Sequence, residues 1–131
     1  MAIVVPDVGE VTLLENIKTS YSNSFHLHLY KNNFTPVEAS VLGDFTEADF
    51  SGYATQAFGF TTALTVAGIS YIVGSPLMWQ QNGGGTSNTI YGYYVTDNSN
   101  TILLWAERFS SSKSMAGLAD LLTVVARVEL D

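Results

Sequence analysis

The chain has 131 residues and no cysteine, and its 12 acidic and 5 basic residues give a net charge of −7. A single domain of this length buries about two-thirds of its unfolded surface, so it can hold a core without disulfides or metals. The absence of cysteine excludes thiolate metal sites and thiol nucleophiles. Five scattered cations cannot neutralise a row of phosphates, and the negative charge repels anionic lipid head groups. We therefore expect no nucleic acid and no membrane as a partner.

Charged residues are scarce and unevenly placed. They make up 13% of the chain, against about 25% in an ordinary soluble domain. Residues 50–96 contain no Asp, Glu, Lys or Arg. Charge depletion with aromatic enrichment is typical of the centre of a protein–protein interface, and we favour that explanation. The alternative is a surface made polar by Ser, Thr, Asn, Gln and Gly.

The first twenty residues predict an apolar arm followed by one helix. Residues 1–6 lack the basic region and the cleavage site of a signal peptide, so we expect an arm that docks on this chain or on a neighbour. Asp7, with Glu10 three residues later, forms a capping-box pattern. Apolar residues then recur at helical spacing. These signals predict a helix over 7–19, which the turn-favouring residues 19–24 end.

The remainder of the chain, residues 24–131, predicts antiparallel strands. Alternating or continuous apolar runs mark strands at 25–30, 69–73, 77–81, 90–96, 101–109 and 122–130. A further strand begins at Tyr53, and we expect Phe58, Phe60, Thr62, Leu64 and Val66 to share one face of it. The glycine-rich residues 82–87 predict a mobile hairpin tip, and residues 97–100 predict a tight turn.

The number and spacing of these strands predict the fold class. About eight strands follow one another without βαβ alternation, which excludes a parallel-sheet nucleotide-binding fold. Residues 61–79 are uncharged, but their glycines, proline and alternating polarity argue against a transmembrane helix. We predict one all-β domain over 1–131, an antiparallel β-sandwich of jelly-roll type with one short N-terminal helix.

Two histidines form the first possible metal site. His26 and His28 stand two apart on a strand and therefore point to the same face. Cupins, which are jelly rolls, follow such a pair with Glu and a third His, but this chain has Asn32 and Asn33 there and no other histidine. The two residues are better explained as polar side chains on the solvent face of a half-buried strand.

An acidic loop forms the second possible metal site. Asp44, Glu47 and Asp49 could supply oxygen ligands to calcium, but they do not follow the EF-hand spacing. A solvated acidic loop is the simpler explanation. We predict no metal and no cofactor, and binding of an ion by the histidines or by this loop stays an alternative.

Two partial matches to catalytic or phosphate-binding motifs each lack a required residue. Residues 68–72 end in Ile72 where a nucleophile elbow requires glycine. The glycines at 83–85 lack the Lys-Ser/Thr of a phosphate-binding loop. We predict no catalytic residues and no enzymatic activity, and a cupin-type metalloenzyme stays as an alternative.

The aromatic residues and the arm supply the candidates for an interface. Exposed aromatic side chains anchor partners or stack on sugars, whereas buried ones build the core. We expect at least half of them in the core. The predicted interface residues are Ile3, Val4, Val5, Pro6, Trp79, Tyr91 and Tyr93.

Several phrases of the sequence are similar to a known family. They are residues 6–10 (PDVGE), 29–36 (LYKNNFTP), 44–54 (DFTEADFSGYA), 91–97 (YGYYVTD) and 103–109 (LLWAERF). Together they resemble a family of small proteins encoded by tailed bacteriophages, and the resemblance spans most of the chain. Such proteins look like virion structural components encoded near the major capsid protein, of the head decoration, or cement, type.

This resemblance implies a function without catalytic residues. A decoration protein binds the assembled lattice of the major capsid protein rather than the free subunit, and so stabilises the phage head. It is made in the host cytoplasm and resides on the outer surface of the capsid. Assembly at a symmetric lattice point implies a homo-oligomer, for which we expect a trimer. A tail or baseplate module that is structural or binds carbohydrate is the alternative.

Overall fold

The computed structural model describes residues 2–130. Met1 of the predicted arm and Asp131 at the end of the predicted strand region therefore lie outside the described residues. One helix, α1 (Asp7–Ser20), precedes a set of strands and a short 3-10 turn (Leu42–Asp44). The strands are β1 (Phe25–Tyr30), β2 (Gln56–Phe58), β3 (Leu64–Val66), β4 (Ile69–Val73), β5 (Leu77–Gln80), β6 (Asn88–Asp97), β7 (Leu103–Met115), β8 (Leu121–Val124) and β9 (Arg127–Leu130).

These strands form three antiparallel sheets. The largest has the order β2-β1-β6-β7, and the two smaller ones have the orders β3-β4-β9 and β5-β8. No helix of the described residues is long and apolar enough to cross a membrane. The protein is therefore mainly β, with one helix and several antiparallel sheets, which confirms the predicted class.

One hydrophobic core joins all three sheets to the helix. Leu14 of α1 packs there with side chains of β1, β4, β5, β6 and β8, and many of these are fully buried. Burying a large apolar side chain stabilises the fold by about 1.5–3 kcal/mol. The helix packs against β3, β4 and β9, so it covers the small sheet that β9 completes.

A second cluster covers the other face of the large sheet. Side chains alternate between the two faces of a strand, so Leu29 enters the main core while Tyr30 points away from it. Tyr30 forms a cluster there with Phe45 and Tyr94. The ring centroid of Phe45 lies 5.2 Å from that of Tyr30 and 4.8 Å from that of Tyr94. Phe45 belongs to the segment 31–50, which folds back over β1 and β6 and removes this face from solvent.

The helix begins differently from the predicted capping box. Pro6 occupies the N-cap position, no side chain caps the helix, and Asp7 is already its first residue. The carbonyl of Pro6 accepts hydrogen bonds from the N–H groups of Gly9 and Glu10 at 2.7 and 3.0 Å. Proline fixes its own φ, which lets it begin the helix without a polar side chain. The helix ends at Ser20, one residue beyond the prediction.

The predicted strand after Tyr53 is two strands in different sheets. Phe58 and Phe60 are buried, but Thr62, Leu64 and Val66 are exposed, so the prediction that these residues share one face is wrong. Asn23 explains the break, because its side-chain amide bonds both the N–H and the carbonyl of Phe60, at 2.8 and 3.0 Å. Those backbone groups are then lost to strand pairing, and the chain leaves the large sheet.

Three other strand predictions need correction. Residues 82–87 do not close a hairpin, because β5 pairs with β8 whereas β6 pairs with β1 and β7. The predicted strand over 122–130 divides into β8 and β9, which belong to different sheets. β7 continues to Met115, past a bulge in which residues 109–112 lie opposite Tyr91 alone.

Candidate interaction surfaces

The N-terminal arm, residues 2–6, lies on the surface of the chain. Ile3 is 93% exposed and Val4 is 83% exposed, although both are large apolar residues. Within the described residues, no backbone hydrogen bond involves the N–H or carbonyl groups of residues 2–5. Pro6 is exposed as well and is fixed only as the start of the helix. The structure thus places the predicted arm residues where a partner can reach them.

Two of the predicted aromatic anchors are core residues. Trp79 and Tyr93 are each only 2% exposed. The indole N–H of Trp79 donates to the carbonyl of Ala54 at 2.7 Å, and the Tyr93 hydroxyl donates to Glu107 at 2.7 Å. These bonds satisfy the polar ends of both side chains inside the chain, so neither ring offers a surface to a partner. The prediction that they form an interface is corrected accordingly.

Tyr91, the third predicted aromatic anchor, is partly exposed. The guanidinium of Arg108 lies 5.4 Å from its ring centroid, within range of a cation–π interaction. Arg108 also donates to Phe34 and Asn33 in the covering segment. More than half of the aromatic residues are buried, as predicted.

His28 forms the centre of a buried polar network. It is 4% exposed, which contradicts the predicted solvent-facing position, because the covering segment 31–50 closes over it. Its ring stacks on Tyr94 with centroids 4.6 Å apart. Its Nδ1 lies 2.9 Å from Glu47 Oε1, and its Nε2 lies 3.0 Å from Thr96 Oγ1.

Glu47 connects this network to the segment that follows it. The hydroxyls of Tyr53 and Thr55 donate to Glu47 Oε1 at 2.8 and 2.7 Å, beside the imidazole of His28. The hydrogen bond from His28 is the largest cause that lowers the pKa of Glu47 to about 2. Burial and the bond to Glu47 raise the pKa of Tyr53. The network therefore holds the covering segment on the sheet through a charged carboxylate.

The remaining candidate metal ligands are engaged elsewhere. His26 Nδ1 lies 2.7 Å from Asn100 Oδ1. Asp44 accepts the N–H of Val41 at 2.8 Å, and Asp49 forms an ion pair with Lys31 at 2.7 Å. Over residues 2–130, no three His, Cys, Asp or Glu side chains are grouped so that they could hold a metal ion.

A groove runs between the arm and the helix, and we call it the arm groove. Its volume is about 390 Å³, and it is lined by Ile3, Val4, Val5, Glu10, Leu13 and Leu130. Glu10 is 5% exposed, and its Oε2 has no hydrogen-bond partner among the described residues. A buried carboxylate oxygen without a donor is destabilising, so this groove holds a polar atom at a cost in free energy.

A second groove follows the free edge of β7, and we call it the edge groove. Its volume is about 470 Å³; residues 103–106 form one wall, and Pro36, Val37, Glu38 and Ser40 form the other. Over the described residues β7 pairs with β6 alone, so its outer backbone N–H and carbonyl groups are unpaired. Such an edge can receive another strand. Sequence reasoning missed this feature, since alternation marks a strand without showing whether it lies at an edge.

Comparisons with known protein families, with curated proteins and with solved structures found no match to this chain.

Proposed function

We propose that this protein is a structural component of a tailed-phage virion, a decoration protein that binds the assembled major capsid protein on the outer surface of the head. The proposal includes a finer description of the fold, in which the three sheets form an antiparallel sandwich of jelly-roll type. Side chains from all three sheets share one core, which supports the sandwich. The function rests on the sequence resemblance together with the character of the surface.

One observation carries the functional proposal. Within the charge-free residues 50–96, strand β3 leaves Leu64 and Val66 more than half exposed, and Met78 of β5 is exposed as well. A monomer gains nothing from large apolar side chains on an uncharged surface, whereas a protein that is buried in an assembly does. A lattice of capsid subunits is such an assembly.

Binding to the assembled lattice can stabilise the shell without any catalytic step. A protein that binds only the assembled lattice shifts the equilibrium between shell and free subunits towards the shell. The gain is about 2.7 kcal/mol per site when the free protein is at a hundred times its dissociation constant. Many copies on one shell add these contributions.

The carbohydrate-binding alternative loses two of its candidate aromatic residues. Sugar stacking needs an exposed aromatic face, but Trp79 and Tyr93 are buried. Tyr91 lies beneath Arg108. No observation on the described surface favours a tail or baseplate module over a head protein, and the experiment below separates them.

The test is sedimentation of the purified protein with shells of the major capsid protein of the same phage. We expect the protein to pellet with assembled shells, to leave free capsid subunits in solution unbound, and to raise the temperature at which shells disassemble. Replacing Leu64 and Val66 together by Asp should weaken shell binding at least tenfold. Leu118→Asp together with Val125→Asp, at two exposed apolar positions outside the charge-free stretch, is the matched control. Absence of the wild-type protein from the pellet would refute the decoration role.

A further inference from the structure

On its own chain, the arm leaves apolar side chains exposed and, among the described residues, backbone groups without hydrogen bonds. Ile3 and Val4 keep most of their apolar surface in water, and the backbone of residues 2–5 makes no hydrogen bond to the described chain. The arm groove also contains Glu10, whose Oε2 is unpaired among the described residues. The arm thus leaves its own apolar side chains exposed, and residues 2–5 form no backbone hydrogen bonds within the described chain. Pairing with a strand elsewhere would relieve both defects.

The outer edge of β7 also has backbone groups without hydrogen-bond partners among the described residues. Its outer backbone groups lack partners over the described residues, and residues 103–106 open into the edge groove. Val37 in the facing wall is exposed, and so is Ile102, which directly precedes β7. An extended segment that pairs with this edge would satisfy backbone groups and cover these apolar side chains together.

The arm has the composition and length that this edge requires. Ile3, Val4 and Val5 are β-branched and uncharged, as suits a strand that packs on Val37 and on the apolar residues of β7. Residues 2–5 in extended form span about 13 Å, the same length as four residues of β7. We propose that the arm of one copy pairs as an added strand with residues 103–106 of a second copy, within the edge groove.

The geometry of the chain favours a second copy over the same copy. Pro6 begins the helix, which packs against β3, β4 and β9 in the small sheets. Val5 lies over the start of the helix, where a side chain added at Gly9 would meet it at 3.1 Å. The arm groove also includes Leu130 of β9. Four residues reach about 14 Å at most, so the arm stays near the small sheets of its own chain.

Such exchange is head-to-tail, because each copy donates an arm at one place and accepts one at another. A contact of this type closes into a ring when the rotation between copies allows it. One arm contact covers less than the roughly 800 Å² per partner of a standard interface, but each copy in a ring has two such contacts. The buried area therefore favours a closed ring over an open dimer.

This inference deepens the proposed function by naming the surface through which copies associate, and it rests on that proposal only for its biological setting. Its test uses the purified chain alone, so it can fail while shell binding succeeds, and the reverse. First, light scattering over a range of concentrations should show a closed oligomer. A monomer at every concentration would overturn the inference.

Cysteine cross-linking then locates the contact, since the chain contains no cysteine of its own. Two arm variants, Ile3→Cys and Val4→Cys, are used because successive side chains of an extended arm point to opposite faces. Each is mixed with Val37→Cys chains under mild oxidation. We expect one of these mixtures to give mixed disulfide dimers at least tenfold faster than the same arm variants mixed with Met78→Cys, an exposed control. All four positions are exposed, so the variants should keep the fold.

The outcomes separate the possible partners of the arm. Ile3→Asp with Val4→Asp should convert the oligomer to monomer, whereas Leu118→Asp, at another exposed apolar position, should not. Equal cross-linking to Val37→Cys and Met78→Cys, or predominant arm-to-arm dimers, would overturn the pairing with β7. If the wild-type protein is a monomer and the arm variant loses shell binding, then the arm binds the capsid protein and the inference is wrong.

Discussion

Replacing Glu47 by Gln tests whether a charged carboxylate holds the covering segment on the sheet. Glu47 Oε1 accepts from the hydroxyls of Tyr53 and Thr55 and lies 2.9 Å from Nδ1 of His28. The amide keeps an acceptor of similar shape but loses the negative charge. Hydrogen bonds to charged groups are stronger than neutral ones, so the variant should be less stable.

The magnitude follows from the pKa. Its fall from an ordinary value of 4.5 to about 2 corresponds to about 3 kcal/mol if every contact were shielded from water. The Glu47 side chain is 40% exposed, and solvent screening reduces that figure to about 1–2 kcal/mol. Because the folded pKa is depressed, this stabilisation is present above pH 4.5 and disappears as the pH falls towards 2.

The assay is urea unfolding followed by tryptophan fluorescence at a series of pH values. We expect the deficit of Glu47→Gln to be full at neutral pH and to vanish near the folded pKa, where the wild-type carboxylate is itself protonated. Glu38→Gln, an exposed position in the same segment, should match the wild type throughout. Equal stability at neutral pH, or a deficit that does not change with pH, would refute the role of the charge.

Two further predictions concern the core and the large sheet. Trp79→Ala should cost about 3–5 kcal/mol, because it leaves a cavity and an unpaired Ala54 carbonyl; thermal unfolding measures this, and a shift of only a degree or two would contradict the burial. Gly92→Ala should cost about 3 kcal/mol, since its Cβ would meet the Glu107 carbonyl and lie 2.6 Å from the Tyr30 hydroxyl. Gly117→Ala has open space around it and is the control, and similar stability losses in both glycine variants would count against the clash.

Side-chain alternation predicted the buried and exposed faces of a strand better than it predicted which strands pair. Residues 122–130 show this, because Val124 and Ala126 are buried and Thr123 is exposed, as the pattern predicts. Yet the backbone changes sheets between β8 and β9. Period-two alternation depends only on the local backbone, whereas pairing depends on which strand lies alongside, and that is a property of the whole chain.

The site predictions failed where a distant segment changed the surroundings of a residue. His28 was placed in solvent because nothing near it in the sequence covers it, and the cover comes from Phe45 and its segment. Trp79 and Tyr93 lie in the charge-free stretch, but the absence of charge does not distinguish a core from an interface. The arm was predicted from the apolar run that precedes the helix, which lacks the features of a signal peptide.

The pairing of β8 and β9 has a consequence for how the protein folds during synthesis. Residues 121–130 supply the only partner of β5 and the outer partner of β4 over the described chain. They leave the ribosome after all the strands that they complete, so both small sheets stay unfinished until residues 121–130 have emerged. Contacts between distant parts of a chain also form slowly. Because α1 packs on the sheet that β9 completes, the final packing of the helix also waits for β9.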